Sequence, residues 1–187
     1  MSKVAIVTDS TAYLPADVSK GYEVHSVPLQ IIWGSDIYRD GVDITPDQFY
    51  ERLPGSKINA TTSQPSPAAF REVYSRLTQQ GFDILSVHIS TKLSGTIDSA
   101  AQAKANLSNA NIEIVDSFTT SMSMGFQVMT AARAAAQGRL FAAAAGRLAS
   151  WAWAEWQGTE EKFARVAPVA PAALLRPARR RLSTPWE

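Results

Sequence analysis

Three hydroxyl-rich segments are the part of this 187-residue sequence best suited to chemistry. Each follows an apolar run, and two of them lead into a predicted helix. Backbone N–H groups point outward at the start of a helix, and Ser or Thr hydroxyls add donors, so such segments bind small anions without using charge. The sequence therefore predicts a site for one oxyanion, a phosphate or a carboxylate, formed by Thr8–Thr11, Thr61–Pro67 and Ser90–Thr96.

The expected donors lie in the second and third of these segments. In the second we expect the hydroxyls of Thr62 and Ser63 to contact the anion. In the third we expect the Ser94 hydroxyl and the N–H groups near Gly95 and Thr96 to do so, with the glycine allowing close approach of the backbone. Helix capping explains both segments as well, because Ser and Thr caps are common. Composition alone leaves both interpretations open.

Two predicted strands end in an Asp-Ser pair, Asp9-Ser10 and Asp116-Ser117. Short polar side chains of this kind hydrogen-bond nearby backbone, so we expect them to support the site by orienting the loops that follow. A role as a base or a metal ligand is the alternative interpretation.

No catalytic motif stands out in the sequence. The two histidines, His25 and His88, lie in predicted strands, where we expect packed side chains rather than ligands. We expect Lys92 to be a solvated loop lysine. A P-loop, a Gly-x-Gly-x-x-Gly motif and a Ser-His-Asp order are all missing. We therefore predict no catalytic residue, no metal and no cofactor.

Strand-like and helix-like segments alternate through residues 1–138, which predicts an α/β fold: a parallel sheet flanked by helices, with a small β-hairpin insertion. The predicted strands are Val4–Thr8, Glu23–Ile32, Ile37–Asp40 as hairpin partner, Asp83–Ile89 and Ile112–Val115. The predicted helices are Pro15–Lys20, Pro46–Leu53 with Thr45 as N-cap, Pro67–Gln80, Gly95–Leu107 and Ser121–Gln137. Ligands of such sheets bind outside the carboxyl ends of the strands, where we expect all three hydroxyl-rich segments to emerge.

Composition narrows the class of protein. The net charge of +1 gives no general electrostatic case for binding nucleic acid or anionic membranes. The sequence has no cysteine, which excludes disulfides and thiolate sites and fits a reducing compartment. We find no signal peptide and no run near the roughly 18 apolar residues of a membrane span, so we expect a cytoplasmic protein without an integral membrane segment.

A sharp change in composition divides the chain after residue 138. Residues 1–138 hold 10 basic and 13 acidic residues, net −3, whereas residues 139–187 hold 8 and 4, net +4. The last part also contains 13 Ala and 4 of the 5 Trp. We therefore predict an α/β domain at 1–138 followed by an atypical Ala/Arg/Trp-rich tail at 139–187.

Four ordered motifs resemble those of the DegV family. They are Val4–Thr11, Tyr38–Ile44, Thr62–Ser66 and Leu93–Thr96, with a looser match over Val115–Gly125. The resemblance covers about residues 3–138.

This resemblance implies a bacterial fatty-acid-binding protein that encloses a long acyl chain between two α/β domains. Some members present the carboxylate to a fatty acid kinase, which makes an acyl phosphate for phospholipid synthesis. By position, Thr62 and Ser94 match the hydroxyls that the family uses on the carboxylate. The ligand implied is a long-chain fatty acid, and the function implied is not enzymatic.

The sequence departs from the family after residue 138. The family's second domain supplies a histidine and an arginine near the carboxylate, yet no histidine follows His88 in this chain. We hypothesise that residues 139–187 are the frame-shifted end of a GC-rich gene, standing in place of the second domain. Reading the genomic DNA in the other frames after codon 138 tests this, and the idea fails if no frame continues the family pattern.

Two other functions remain open at this point. One is a small α/β phosphate-handling enzyme, a phosphotransferase or isomerase, with Asp9 or Asp116 as base. The other is an interaction fragment whose Arg-rich tail binds a polyanion, which the low net charge disfavours.

Overall fold

The computed structural model of the chain describes residues 3–138, apart from the side chain of Ala16. The predicted tail, residues 139–187, lies outside the described residues. Between residues 3 and 138, no helix has the length and apolar character needed to cross a membrane.

Seven strands and five helices form the described part of the chain. The strands are β1 Lys3–Asp9, β2 Val24–Val27, β3 Gln30–Trp33, β4 Asp36–Arg39, β5 Thr61–Ser63, β6 Phe82–His88 and β7 Ile112–Asp116. The helices are α1 Ala16–Ser19, α2 Pro46–Arg52, α3 Pro67–Gln79, α4 Thr96–Ala105 and α5 Ser121–Ala136.

A four-stranded parallel sheet of order β2-β1-β6-β7 is the centre of the fold. Helix α5 packs on one face, where Ile6, Leu85 and Val128 belong to one hydrophobic cluster. Helices α3 and α4 cover the other face, where Phe70 and Ala100 belong to a second cluster. Because both faces are covered, the strands are nearly continuous apolar runs, as is typical of parallel sheets. The predicted α/β class is confirmed.

Strands β3, β4 and β5, which come between β2 and β6 in the chain, form a smaller antiparallel sheet of order β4-β3-β5. The predicted hairpin between β3 and β4 is confirmed, with Gly34 at a φ of +69° in its turn. Ile31, Trp33 and Ile44 form the small core of this sheet. The guanidinium of Arg52 lies 4.3 Å from the centroid of the Trp33 ring and covers it.

The prediction of one strand over Glu23–Ile32 is wrong. The chain forms β2 in the parallel sheet, breaks, and then forms β3 in the antiparallel sheet. Pro28 lies at the break, and proline has no N–H to donate to a sheet and a restricted φ. The alternating apolar residues on either side hide this change of sheet.

The position of the second hydroxyl-rich segment also differs from the prediction. Its first three residues are not loop but strand β5, which pairs with β3 through Ile31 and Thr62. This segment therefore reaches the edge of the parallel sheet from the small sheet, whereas the other two follow β1 and β6 directly.

The N-cap predicted for α2 is confirmed, and α3 has a similar one. Thr45 and Gln48 form a reciprocal capping box at the start of α2. The Ser66 hydroxyl accepts a hydrogen bond from the N–H of Ala69, with Pro67 as the first residue of α3. By contrast, α4 begins after Gly95 without any side-chain cap, so its first N–H groups stay available for a ligand.

Candidate functional site

The turn from β6 into α4 carries the densest set of hydrogen-bond donors. The Ser94 and Thr96 hydroxyl oxygens lie 2.9 Å apart. Thr96 is completely buried, while Ser94 is half-buried and borders solvent. Thr96 therefore holds Ser94 in place, and the Ser94 hydroxyl with the free N–H groups at the helix start faces outward. A helix start with this arrangement suits an anion.

Thr62 and Ser63 lie on β5 with their side chains open to a ligand. Thr62 is exposed and Ser63 half-buried, and neither hydroxyl has a hydrogen-bond partner within residues 3–138. Successive side chains of a strand point to opposite faces. A ligand on one face of β5 therefore meets the side chain of Thr62 or that of Ser63, but not both.

Gln64 connects these two parts of the site, and the sequence analysis did not single it out. Its Nε2 donates a 2.9 Å hydrogen bond to the hydroxyl oxygen of Ser99 in α4. Its carboxamide lies where a Cβ on residue 95 would stand, 3.0 Å from both Cδ and Nε2. Gly95 is thus in direct contact with Gln64, so the end of β5 meets the start of α4.

Asp9 is fully buried and joins the loops that follow β1 and β6. Its Oδ1 accepts hydrogen bonds from the backbone N–H and the hydroxyl of Thr11. Its Oδ2 accepts from the Ile89 N–H at 3.1 Å and pairs with His88 Nδ1 at 3.0 Å. Burial by itself raises the pKa of Asp9, but the hydrogen bond and attraction of His88, with the bonds from Thr11 and Ile89, hold that pKa below its usual value.

His88 continues this hydrogen-bonded series into the core. Its Nε2 lies 2.6 Å from the Ser86 hydroxyl, which lies 2.7 Å from the Tyr74 hydroxyl. Burial raises the pKa of Tyr74, and the bond to Ser86 opposes this only in part. The order Asp9, His88, Ser86 is that of a catalytic triad, yet all three side chains are completely buried. No substrate reaches that serine, so the series has a structural role. His88 is a packed residue, as the sequence predicted.

Asp116, at the end of β7, joins two loops in the same way as Asp9. Its Oδ2 accepts from the N–H and hydroxyl of Thr91, and its Oδ1 accepts from the Phe118 N–H. The hydroxyl of Ser117 donates to the Thr119 carbonyl oxygen, and the Ser117 N–H donates to the His88 carbonyl oxygen. These residues tie the loop after β7 to the loop after β6.

Ser10 fastens the loop after β1 to the small sheet. Its hydroxyl donates to Asp40 Oδ2 at 2.7 Å and accepts from the Leu29 N–H at 3.1 Å. The two Asp-Ser pairs that the sequence analysis assigned to a supporting role, Asp9-Ser10 and Asp116-Ser117, therefore hydrogen-bond residues of other loops.

Metal binding and acid–base chemistry gain no support from this arrangement. Across residues 3–138, no group of three His, Cys, Asp or Glu side chains is placed to hold a metal ion. Asp9 has no exposed surface and both of its oxygens are occupied. A buried carboxylate that already accepts four hydrogen bonds is not available to take a proton from a substrate.

Large apolar side chains lie exposed in the loops at the same edge of the sheet. Leu93, after β6, is 62% exposed, and Phe118, after β7, is 70% exposed. Phe118 also has a φ of +54°, a left-handed conformation that is costly for an aromatic residue. Exposed apolar groups beside polar loops are typical of a surface that meets an apolar ligand or partner.

Comparison with known families identifies a match over most of the chain. The model of the DegV family, described as uncharacterised proteins, matches residues 3–153. A DegV domain-containing protein of Listeria innocua is 36% identical over 134 residues, which are 71% of this chain and 47% of that protein. One of Caldanaerobacter subterraneus is 38% identical over 138 residues, 74% of this chain and 49% of that protein. The chain thus spans about half the length of the curated relatives it matches.

Solved structures give the same result for the fold. A fatty-acid-binding DegV family protein from Thermus thermophilus is 34% identical with a TM-score of 0.72, covering 80% of this chain and 53% of that one. A stearic-acid-binding protein from Eubacterium ventriosum is 32% identical with a TM-score of 0.72, covering 79% of this chain and 52% of that one.

Proposed function

This chain belongs to the DegV family, and we propose on that premise that it binds a long-chain fatty acid through its carboxylate. The carboxylate lies at the start of α4, where it accepts hydrogen bonds from Ser94 and from Thr62. The backbone N–H groups near Gly95 and Thr96 add donors, the Thr96 side chain supports Ser94, and the acidic residues Asp9 and Asp116 hold the surrounding loops.

The uncapped start of α4 is the observation that carries this proposal. Helix starts need acceptors for their first N–H groups, and here no side chain of the chain supplies one. A carboxylate supplies such an acceptor, and a carboxylate removed from water needs several donors in return. The partnerless hydroxyl of Thr62 and the half-buried hydroxyl of Ser94 meet that need.

The apolar residues beside the site favour a fatty acid over a small polar carboxylate. Leu93 and Phe118 offer apolar surface to a hydrocarbon chain at the edge of the sheet. Each CH₂ group removed from water contributes about 0.8 kcal/mol, so the acyl chain adds affinity to that of the hydroxyls, which hold the head group. The solved relatives above 30% identity are described as fatty-acid-binding or stearic-acid-binding proteins, which supports the same ligand.

Presentation of the bound acid to a fatty acid kinase is the further part of the proposal. Thr62 is exposed, so a second protein can reach the Thr62 side of the site. Adding the full chain loaded with fatty acid to a bacterial fatty acid kinase and ATP should release ADP. Release of ADP no faster than with free fatty acid would contradict this part alone.

Mass spectrometry of small molecules extracted from the purified full-length chain tests the binding proposal. We expect a stoichiometric fatty acid in the wild type and its loss in the Thr62→Ala/Ser94→Ala double variant. The matched control is Ser35→Ala/Ser108→Ala, which removes two exposed hydroxyls, one in the β3–β4 turn and one in the loop before β7, and should retain the lipid. Wild-type protein without lipid, even after incubation with palmitate, would refute the proposal.

A further inference from the structure

We propose that Gln64 is the positioning residue of the carboxylate site, setting the Thr62 hydroxyl against the start of α4. The inference rests on the proposed function and adds to it a residue that touches neither the carboxylate nor the acyl chain. Gln64 acts through the two groups on either side of it, Thr62 and Gly95.

The hydrogen bond to Ser99 ties Gln64 to the firm part of α4. Ser99 lies one turn inside the helix, is 1% exposed, and donates its own N–H to the Gly95 carbonyl oxygen. The Gln64 carboxamide reaches its hydroxyl at 2.9 Å across 35 residues of sequence. This bond links β5 to α4 by a side chain that is itself largely exposed.

Close packing against Gly95 is the second, independent observation. Gly95 has an ordinary negative φ of −79°, so the backbone does not require a glycine there. The space for a Cβ is instead occupied by the Gln64 carboxamide. The start of α4 therefore contacts this amide directly, and a side chain at residue 95 would displace it.

The direction of the chain makes this contact relevant to Thr62. Residue 64 directly follows β5 and precedes Pro65, and a residue before proline favours extended backbone. Side chains two residues apart in an extended chain share a face. By this alternation Thr62 and Gln64 share one side of the segment, the side on which Gln64 contacts α4. The proposal therefore takes Thr62 rather than Ser63 as the hydroxyl that meets the ligand.

The discriminating measurement is the ratio of affinities for palmitate and for hexadecanol, which has the same chain but no carboxylate. In the full-length wild type we expect palmitate to bind more tightly. Gln64→Ala should reduce that preference about tenfold, since a displaced hydroxyl weakens a charge-assisted hydrogen bond. Binding of hexadecanol should change less than twofold. The matched control, Gln79→Ala, removes an exposed glutamine of α3 and should leave both affinities unchanged.

Each outcome separates this inference from the proposed function. A wild type that does not prefer palmitate refutes carboxylate recognition itself. A wild type that prefers palmitate, with an unchanged preference in Gln64→Ala, refutes only the role of Gln64. An equal loss for both ligands in Gln64→Ala indicates a general structural defect and also overturns the inference.

A double-mutant cycle that combines Gln64→Ala with Gly95→Ala is a second test, and it again measures the preference for palmitate over hexadecanol. Gly95→Ala alone should lower the preference for palmitate, because the new Cβ displaces the carboxamide. In a Gln64→Ala background the Cβ has room, so Gly95→Ala should add little further loss. Fully additive losses would overturn the proposed contact. Gly55→Ala, at a glycine with open space around it, is the control for the substitution itself.

Discussion

Replacing Asp9 with asparagine tests the argument that one buried carboxylate holds two loops together. An asparagine keeps the shape but exchanges one oxygen for an NH₂ group. If the NH₂ faces Ile89, the N–H of Ile89 loses its acceptor; if it faces Thr11, the N–H of Thr11 does. His88 can adjust by changing tautomer, but a backbone N–H cannot. At least one backbone donor therefore remains unpaired in either orientation.

The magnitude follows from the bonds that are lost. A buried donor without a partner costs about 1–3 kcal/mol, and a hydrogen bond to a charged group contributes about 1.5–3 kcal/mol. We expect Asp9→Asn to reduce the free energy of unfolding by about 3 kcal/mol at pH 7. Urea unfolding of the full chain measures this as a lower midpoint with an unchanged m-value. Asp47→Asn, at an exposed position in the first turn of α2, is the control and should change stability by about 0.5 kcal/mol or less.

The stability loss in Asp9→Asn should depend on pH, whereas a loss caused by a packing defect should not. The pKa of Asp9 is lower in the folded chain than its usual value, so its stabilising contribution is fully present above the unfolded-state pKa of about 3.9. That contribution is lost as the pH falls through the folded-state pKa. The stability difference between wild type and Asp9→Asn should thus be largest at neutral pH and shrink below about pH 4. A loss under about 1 kcal/mol at pH 7, or a difference that does not shrink in acid, would refute the reasoning.

Two further substitutions test the packing and capping of the fold. Gly125→Ala should reduce the free energy of unfolding by about 1–3 kcal/mol, because its Cβ would lie 2.7 Å from the Ala12 carbonyl oxygen. Urea unfolding measures this loss, with Gly55→Ala as the control at a glycine that has open space around it. Equal losses in the two variants would contradict the prediction. Thr45→Ala should cost about 1 kcal/mol by removing the capping box with Gln48; the combination with Gln48→Ala should cost little more in thermal unfolding, and an additive loss would speak against a shared box.

The elements that the sequence predicted well depend on local signals. Thr45 and Ser66 each stand just before a proline that opens a helix, and both cap their helices in the structure. Gly81 and Gly138 follow α3 and α5 with φ values of +81° and +69°, as helix ends with glycine do. Such signals act within four or five residues, so one sequence is enough to read them.

The change of sheet at Pro28 shows where local reasoning fails. The apolar alternation through Val24, Val27, Leu29 and Ile31 is the same whether the chain stays in one sheet or passes to another. Only pairing with β1 on one side and with β4 and β5 on the other separates the two strands. The proline at position 28 was the one local sign that the strand ends there.

The connections of the site were beyond the sequence because they join distant residues. Asp9 and His88 are 79 residues apart, and Gln64 and Ser99 are 35 apart. The candidate hydroxyls were proposed from the types of residue that bind anions, whereas the amide and the carboxylate that join their segments to the rest of the fold have no local pattern. In Thr62-Ser63-Gln64 the residue types pointed to the two hydroxyls, whereas only the structure shows that Gln64 contacts α4.

The order of strands in the parallel sheet also governs how the chain folds while it is being made. Strand β1 is synthesised well before β6, and its pairing with β6 runs in register from Lys3 opposite Phe82 to Val7 opposite Ser86. At about 5–20 residues per second, roughly 4–16 s pass on the ribosome before β6 exists. Until then only β2 can pair with β1, and the other edge of an apolar strand stays open. The interval in which this protein is most prone to aggregate, and most suited to a chaperone, is therefore set by strand order rather than by its final stability.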